Sequence, residues 1–228
     1  MISLDGWSRF NIWQHSAIVR DLYARRARDE AEEMTCAAQA AELLRPLVLP
    51  RDTVLDVGCA SGYFFHSLRR RGLPVEYIGI DATADFIELG RRYLPAFGLP
   101  ADRLMVGRIE DLDGKVDHVV CMNVISNIDN FHRPLERLLR IASKSMVLRE
   151  SIADGASYTY VVDKYLDTGE PLRVHVNTYD RRALREFAQN LGFTVEEFTD
   201  DRTGGRPELV IDHPHHWCFM RMIRRSET

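Results

Sequence analysis

From residue 53 onward the chain alternates short, nearly continuous apolar runs with segments whose apolar residues recur at helical spacing. The runs Thr53–Val57, Val75–Ile80, Leu104–Val106, Val116–Cys121 and Ser145–Leu148 have the length and composition of strands buried on both faces of a parallel sheet. Between them the spacing predicts helices at about Gly62–Arg71, Ala84–Tyr93 and Pro134–Ile141. Gly72 and Pro95 supply stops, and Pro134 suits a first helical turn. Asp180 is placed to cap a further helix running to Asn190, with Gly192 just past its end. Two β-type runs, Phe193–Phe198 and about His216–Ile223, close the chain. This alternation predicts an α/β fold, a doubly wound, seven-stranded, mostly parallel sheet with an antiparallel last strand.

Residues 16–44 are rich in Ala, Glu, Arg and Leu and carry no glycine or proline, which predicts one long helix or two consecutive ones. The chain therefore divides into an amino-terminal helical cap over 1–50 and a main domain over 51–228. Regular alternation lapses at about 149–178, an insertion with few periodic signals and many aromatic and polar side chains.

The first strand runs into Gly58-Cys59-Ala60-Ser61-Gly62, and the second ends on Asp81. Small residues let backbone approach a ligand at the carboxyl edge of a sheet, and an acid closing the next strand can accept hydrogen bonds from ribose hydroxyls. The spacing departs from the G-x-G-x-x-G of dinucleotide-binding turns. Asp56, inside the strand, would repel a diphosphate and suits an ammonium group. Ala60 stands where a middle glycine is expected, and its methyl group predicts a turn that avoids positive φ there.

With Val54-Leu55-Asp56-Val57-Gly58-Cys59-Ala60-Ser61-Gly62 and Asp81, the chain resembles the class I S-adenosylmethionine (SAM)-dependent methyltransferases over roughly residues 50–223. The resemblance implies a Rossmann-like methyltransferase fold, SAM as cofactor and a substrate lid in the insertion. It further implies cofactor contacts from Asp56, Gly58, Cys59, Gly62, Asp81, Ala82, Ile109, Glu110, Met122 and Asn123. A position often acidic in that family holds Arg108 here, which leaves Glu110, Asp111 or the Ile109 backbone amide to receive the adenine. Tyr23, Arg25 and Arg28 of the cap are candidates for the methionine carboxylate.

Methyl transfer from a sulfonium is an in-line displacement whose thioether leaves without an acid, so positioning can supply most of the catalysis. The loop after the fourth strand lacks the Asn/Asp-Pro-Pro-aromatic motif with which related enzymes methylate amines of nucleic acids and proteins. It carries Asn127 where many small-molecule enzymes have a histidine. Asn127 and Asp129 are read as orienting groups and His175, in the insertion, as the general base, because histidine titrates near neutral pH. Tyr158, Tyr160 and Tyr165 offer flat contact area with a hydrogen-bonding tip, suited to a sugar or an aromatic acceptor. The expected reaction is methyl transfer to an oxygen of a sugar or secondary metabolite, releasing S-adenosylhomocysteine (SAH). An RNA-modifying enzyme and a catalytically silent SAM-binding partner subunit stay open as alternatives.

Composition narrows these readings. A net charge of −4 argues against a general nucleic-acid footprint. Four cysteines without paired spacing suggest reduced thiols, no apolar run approaches the ~20 residues of a membrane span, and the first residues lack the pattern of an export signal. A cytoplasmic protein with a small-molecule partner and no membrane contact is expected, with the amino-terminal helix available for a homodimer. Asp212-His213-Pro214-His215-His216 matches no zinc spacing and reads as an exposed turn, so no metal site is expected.

Overall fold

The computed structural model describes residues 11–167, 169 and 171–226, so the first ten residues of the expected cap lie outside it. The cap folds as two helices, α1 (Ala17–Ala27) and α2 (Thr35–Leu44), rather than one. Asp29, at φ 59°, turns the chain between them, and Ser16 caps α1 by accepting from the Val19 N–H. The main domain then runs β1 (Thr53–Val57), α3 (Phe64–Arg70), β2 (Glu76–Asp81), α4 (Ala84–Tyr93), β3 (Leu104–Val106), β4 (Val116–Met122), α5 (His132–Ile141) and β5 (Ala142–Ala153). It closes through β6 (Tyr160–Val162), β7 (Arg173–His175), β8 (Tyr179–Asp180), α6 (Arg181–Asn190), β9 (Phe193–Thr199), β10 (Glu208–Val210), β11 (His213–His215) and β12 (Trp217–Arg224).

The central sheet has the order β3-β2-β1-β4-β5-β12-β9, with the short β8 paired to the end of β5. β12 slots between β5 and β9 antiparallel to both, as predicted for the last strand, while the other central pairs are parallel. Alternate strand residues feed two cores. Leu55, Val57, Val119, Met146 and Leu148 pack against Leu135 and Leu138 of α5 and Leu184 of α6. Val54, Val120, Val147 and Phe219 face Ala40 and Leu44 of α2 with Phe64 and Leu68 of α3. Burying both faces of these strands explains their unbroken apolar runs.

Two stretches differ from the sequence-based expectation. β5 continues five residues beyond Leu148, because β12 pairs with it as far as Ser151 and β8 takes over at Ile152. The histidine run is a strand: His213–His215 pairs with Glu208–Val210 through a turn at Ile211 and Asp212, both at positive φ. His215 is buried against the Trp217 ring, 4.9 Å between centroids. Among the described residues no helix is long and apolar enough to cross a membrane.

Residues of the expected insertion form the antiparallel pair β6–β7 over the carboxyl edge of the sheet. The amino-terminal segment joins it there. Ile12 packs with Val174 and Val176, and Asp167 accepts from the Ala17 N–H while its own N–H donates to His15 C=O.

Candidate active site

β1, β2 and β4 are adjacent in the sheet, and the turns at their carboxyl ends line one cavity of about 490 Å³. The segment Asn11–Trp13, Tyr23 of α1 and the β6–β7 pair complete its walls.

The turn after β1 folds back over β2, with the Gly58 and Cys59 N–H groups both donating to Ile80 C=O at 2.8 and 3.1 Å. Gly58 has φ +71°, and a Cβ there would lie 2.2 Å from Val124 Cγ2, so a side chain would separate this turn from the loop after β4. Ala60 overturns the expectation for its position, because its φ is +49°. Its N–H donates to the Asp81 carboxylate at 2.8 Å, and that bond holds the strained residue in place. Ala60→Gly should stabilise the protein by about 0.5–1 kcal/mol, since relief of about 1–2 kcal/mol of left-handed strain outweighs the larger unfolded-chain entropy of glycine. Reversible denaturant unfolding of the two proteins measures this.

Asp81 is the hub of the site. One carboxylate oxygen accepts from Ala60 and the other from the Thr83 N–H at 2.7 Å, while the side chain still borders the cavity. Burial pushes its carboxyl up, against the opposing pull of the Thr83 and Ala60 N–H groups. Asp56 stands one layer back. It is buried, accepts the Tyr77 hydroxyl proton at 2.7 Å, and is raised to about 7 by burial, which the Tyr77 bond opposes and the nearby Asp81 charge reinforces.

Of the remaining sequence-derived residues, Gly58, Ala82, Ile109, Glu110, Met122 and Asn123 line the cavity, as do Asn127, Asp129 and His175. Asp56, Cys59 and Gly62 are not on its surface; Cys59 is 1% exposed, and a Cβ on Gly62 would meet Leu104 at 2.9 Å. Arg108 lies in the wall with its Nε 3.3 Å from Glu110 Oε2, whereas Asp111 is absent from the lining. Tyr23 lines the cavity, but Arg25 is exposed and Arg28 pairs with Glu30 at 2.7 Å. The His175 ring lies 4.5 Å from that of Tyr160, tilted by 31°.

Sequence reasoning missed the lining residues Asn11 and Arg173, and Arg26 and Glu150, which are not in the lining. Asn11 donates to Thr83 Oγ1 at 2.9 Å and accepts from the Trp13 N–H, a local turn signal available in the sequence. Arg173 borders the cavity beside Tyr160. Arg26 lies over the Tyr23 and Tyr63 rings, at 5.1 and 5.3 Å, with a buried Nε that has no hydrogen-bond partner among the described residues. Glu150 is fully buried and organises the loop after β4, accepting the N–H groups of Val124, Ile125 and Ser126 at 2.8, 2.8 and 2.9 Å and the Ser126 hydroxyl. Burial raises its carboxyl despite these donors. Asn177 and Tyr179 hold the same loop from the other side, donating to Ile128 C=O and Ile125 C=O, each at 2.7 Å.

Comparison with known proteins agrees with this geometry. A family model described as "Methyltransferase domain" matches residues 19–197. The mitochondrial ubiquinone biosynthesis O-methyltransferase of Saccharomyces cerevisiae is 31% identical over 87 residues, which are 35% of this chain and 26% of that enzyme. The chain thus spans about a quarter of the length of that relative. Among solved structures, the CcbJ methyltransferase from Streptomyces caelestis superposes with TM-score 0.63 at 13% identity, covering 94% of this chain and 98% of that one. Magnesium protoporphyrin IX methyltransferase from Synechocystis with bound SAM gives 0.61 at 14% identity, covering 99% of both chains. With a family model over most of its length, the chain belongs to the class I SAM-dependent methyltransferases.

Proposed function

We propose that the protein transfers the methyl group of SAM to an oxygen of a small molecule, releasing SAH. The observation that carries this reading is the convergence of Gly58, Asp81 and Asn123 on one cavity at the ends of β1, β2 and β4. The residues present suit the cofactor. Glycine at 58 keeps the floor free of a side chain, and Asp81 borders the cavity with a carboxylate able to accept from ribose hydroxyls. Ile109 and Glu110 would hold the adenine, and Met122 and Asn123 would border the sulfonium end. Tyr23, which lines the cavity with Arg26 stacked on its ring, would take the methionine end.

When bound, SAM supplies an electrophilic methyl group on a sulfonium. The chain's own task is to exclude water and hold an acceptor in line. The cap segment from Asn11 and the β6–β7 pair serve as the lid, and Asn127, Asp129, Tyr160 and His175 border the acceptor end. His175 takes the acceptor proton in this reading. His175→Ala should lower turnover while leaving the SAM dissociation constant unchanged; loss of SAM binding would make it a structural residue.

Titration calorimetry with SAM, SAH and NAD tests the reading. Micromolar binding of the two adenosyl ligands without NAD supports it, and failure to bind either one removes it. Asp81→Ala should weaken SAM binding by about 1.5–3 kcal/mol, a roughly 10- to 150-fold rise in the dissociation constant. An unchanged constant would displace the cofactor from this edge.

A further inference from the structure

Two asparagines in the cavity wall have their amide orientations fixed from behind, in opposite senses. Asn123, at φ 61°, accepts through Oδ1 from Nη1 of Arg149, and its backbone N–H donates to Arg149 C=O at 2.9 Å. A guanidinium has five donors and no acceptor, so only the amide oxygen can face it. That leaves the Asn123 Nδ2 group, which has no acceptor among the described residues, on the cavity side. Asn127 is the mirror case. Its Nδ2 donates to His175 C=O at 2.9 Å, a group that only accepts, so its Oδ1 is the amide atom left free.

Arg149 is itself held rigidly. It is 1% exposed, its Nε donates to Asp200 at 2.7 Å, and its guanidinium lies 4.3 Å from the centre of the Trp217 ring. Nothing else in the reading above requires a buried arginine at this place.

We infer that Arg149 is a positioning residue that sets the hydrogen-bonding polarity of the acceptor wall. Through it Asn123 presents donors, while the His175 C=O leaves Asn127 presenting an acceptor, a pair matched to a hydroxyl, which both accepts and donates. An amine spends its one lone pair in attack and, like a protonated amine, has none left to accept from Asn123, whereas a hydroxyl oxygen keeps a second. The inference rests on the proposed SAM site and adds to it the choice of hydroxyl over amine.

Sinefungin tests this without knowledge of the acceptor, because it is a SAM analogue carrying an amine in place of the S-methyl group. The readout is the ratio of the SAH to the sinefungin dissociation constant, by calorimetry on the full chain. Arg149→Met/Asp200→Leu replaces the buried pair with apolar side chains, keeping the fold while freeing the Asn123 amide to turn. The ratio should move at least fivefold toward sinefungin, and adding Asn123→Ala should reverse that gain. Asn123→Asp in the otherwise unchanged protein should move it at least tenfold, since an oxygen then faces the amine. A ratio that stays within twofold of the starting protein in the Arg149→Met/Asp200→Leu variant overturns the inference. Failure of the unaltered protein to bind either ligand instead removes the SAM reading beneath it.

Discussion

Arg149→Ala is expected to destabilise the protein by about 3–5 kcal/mol at neutral pH, because it strands a buried carboxylate. Asp200 is fully buried and ion-paired to Arg149 at 2.7 Å. Burial alone would push the Asp200 carboxyl up, but the hydrogen bond and charge of Arg149 outweigh it and hold the group below its usual value. Without the guanidinium, only the Thr203 N–H and hydroxyl still donate to it among the described residues. The variant should therefore recover part of its deficit on acidification, since protonation removes the unpaired charge. Urea unfolding at pH 7 and pH 5 reads both effects. Equal losses at the two pH values would show that lost packing against Trp217, rather than stranded charge, dominates.

The same residue shows where the sequence stopped being legible. Strands such as Val119–Cys121 and Met146–Leu148 were readable because both faces are buried in apolar cores. β5 became unreadable at Arg149-Glu150-Ser151, where three polar residues, all no more than 1% exposed, continue the strand. Each has a distant partner: Asp200 for Arg149, the loop after β4 for Glu150, Thr178 for Ser151, with only Nη2 of Arg149 left without a hydrogen bond among these three side chains in the described residues. Periodicity sees polarity but not the partner that permits its burial.

The candidate site divides in the same way. Asp81 and the Gly58 turn were legible because a strand end followed by small residues is local information. The Ala60 conformation was not, because its positive φ is secured by Asp81, 21 residues away. His175, Asn127 and Asp129 were chosen one by one from the chemistry of their side chains, and the fold brings them to a common cavity. Asn11, Trp13 and Arg173 were missed because only tertiary packing carries the amino-terminal segment and β7 to this edge.

Asp56 should give the folded protein an unusual pH dependence. Its carboxyl is raised to about 7 from 3.8, first by burial, with the Tyr77 hydroxyl opposing and the Asp81 charge adding to the shift. Between those two values the folded state binds more protons than the unfolded chain, so this group's contribution to stability falls as pH rises through the window. A shift of this size corresponds to a loss on the order of 4 kcal/mol between pH 4 and pH 8. Asp56→Asn keeps an oxygen for the Tyr77 hydroxyl but cannot ionise, and should remove this slope. Part of the gain at pH 8 is offset by about 1–3 kcal/mol for an amide N–H₂ buried without an acceptor. Ligand binding should respond in the opposite sense. The ionised Asp56 lies behind the Gly58 turn in a low-dielectric layer, where its charge favours a cationic ligand. SAM affinity should thus rise through pH 7 with proton release, detectable from the buffer dependence of the binding enthalpy, and both features should vanish in Asp56→Asn. A variant more stable at pH 8 but weaker for SAM would show that the buried acid is kept for binding at the expense of stability. A variant that retains the full pH slope would place the proton on another group and sever Asp56 from the cofactor.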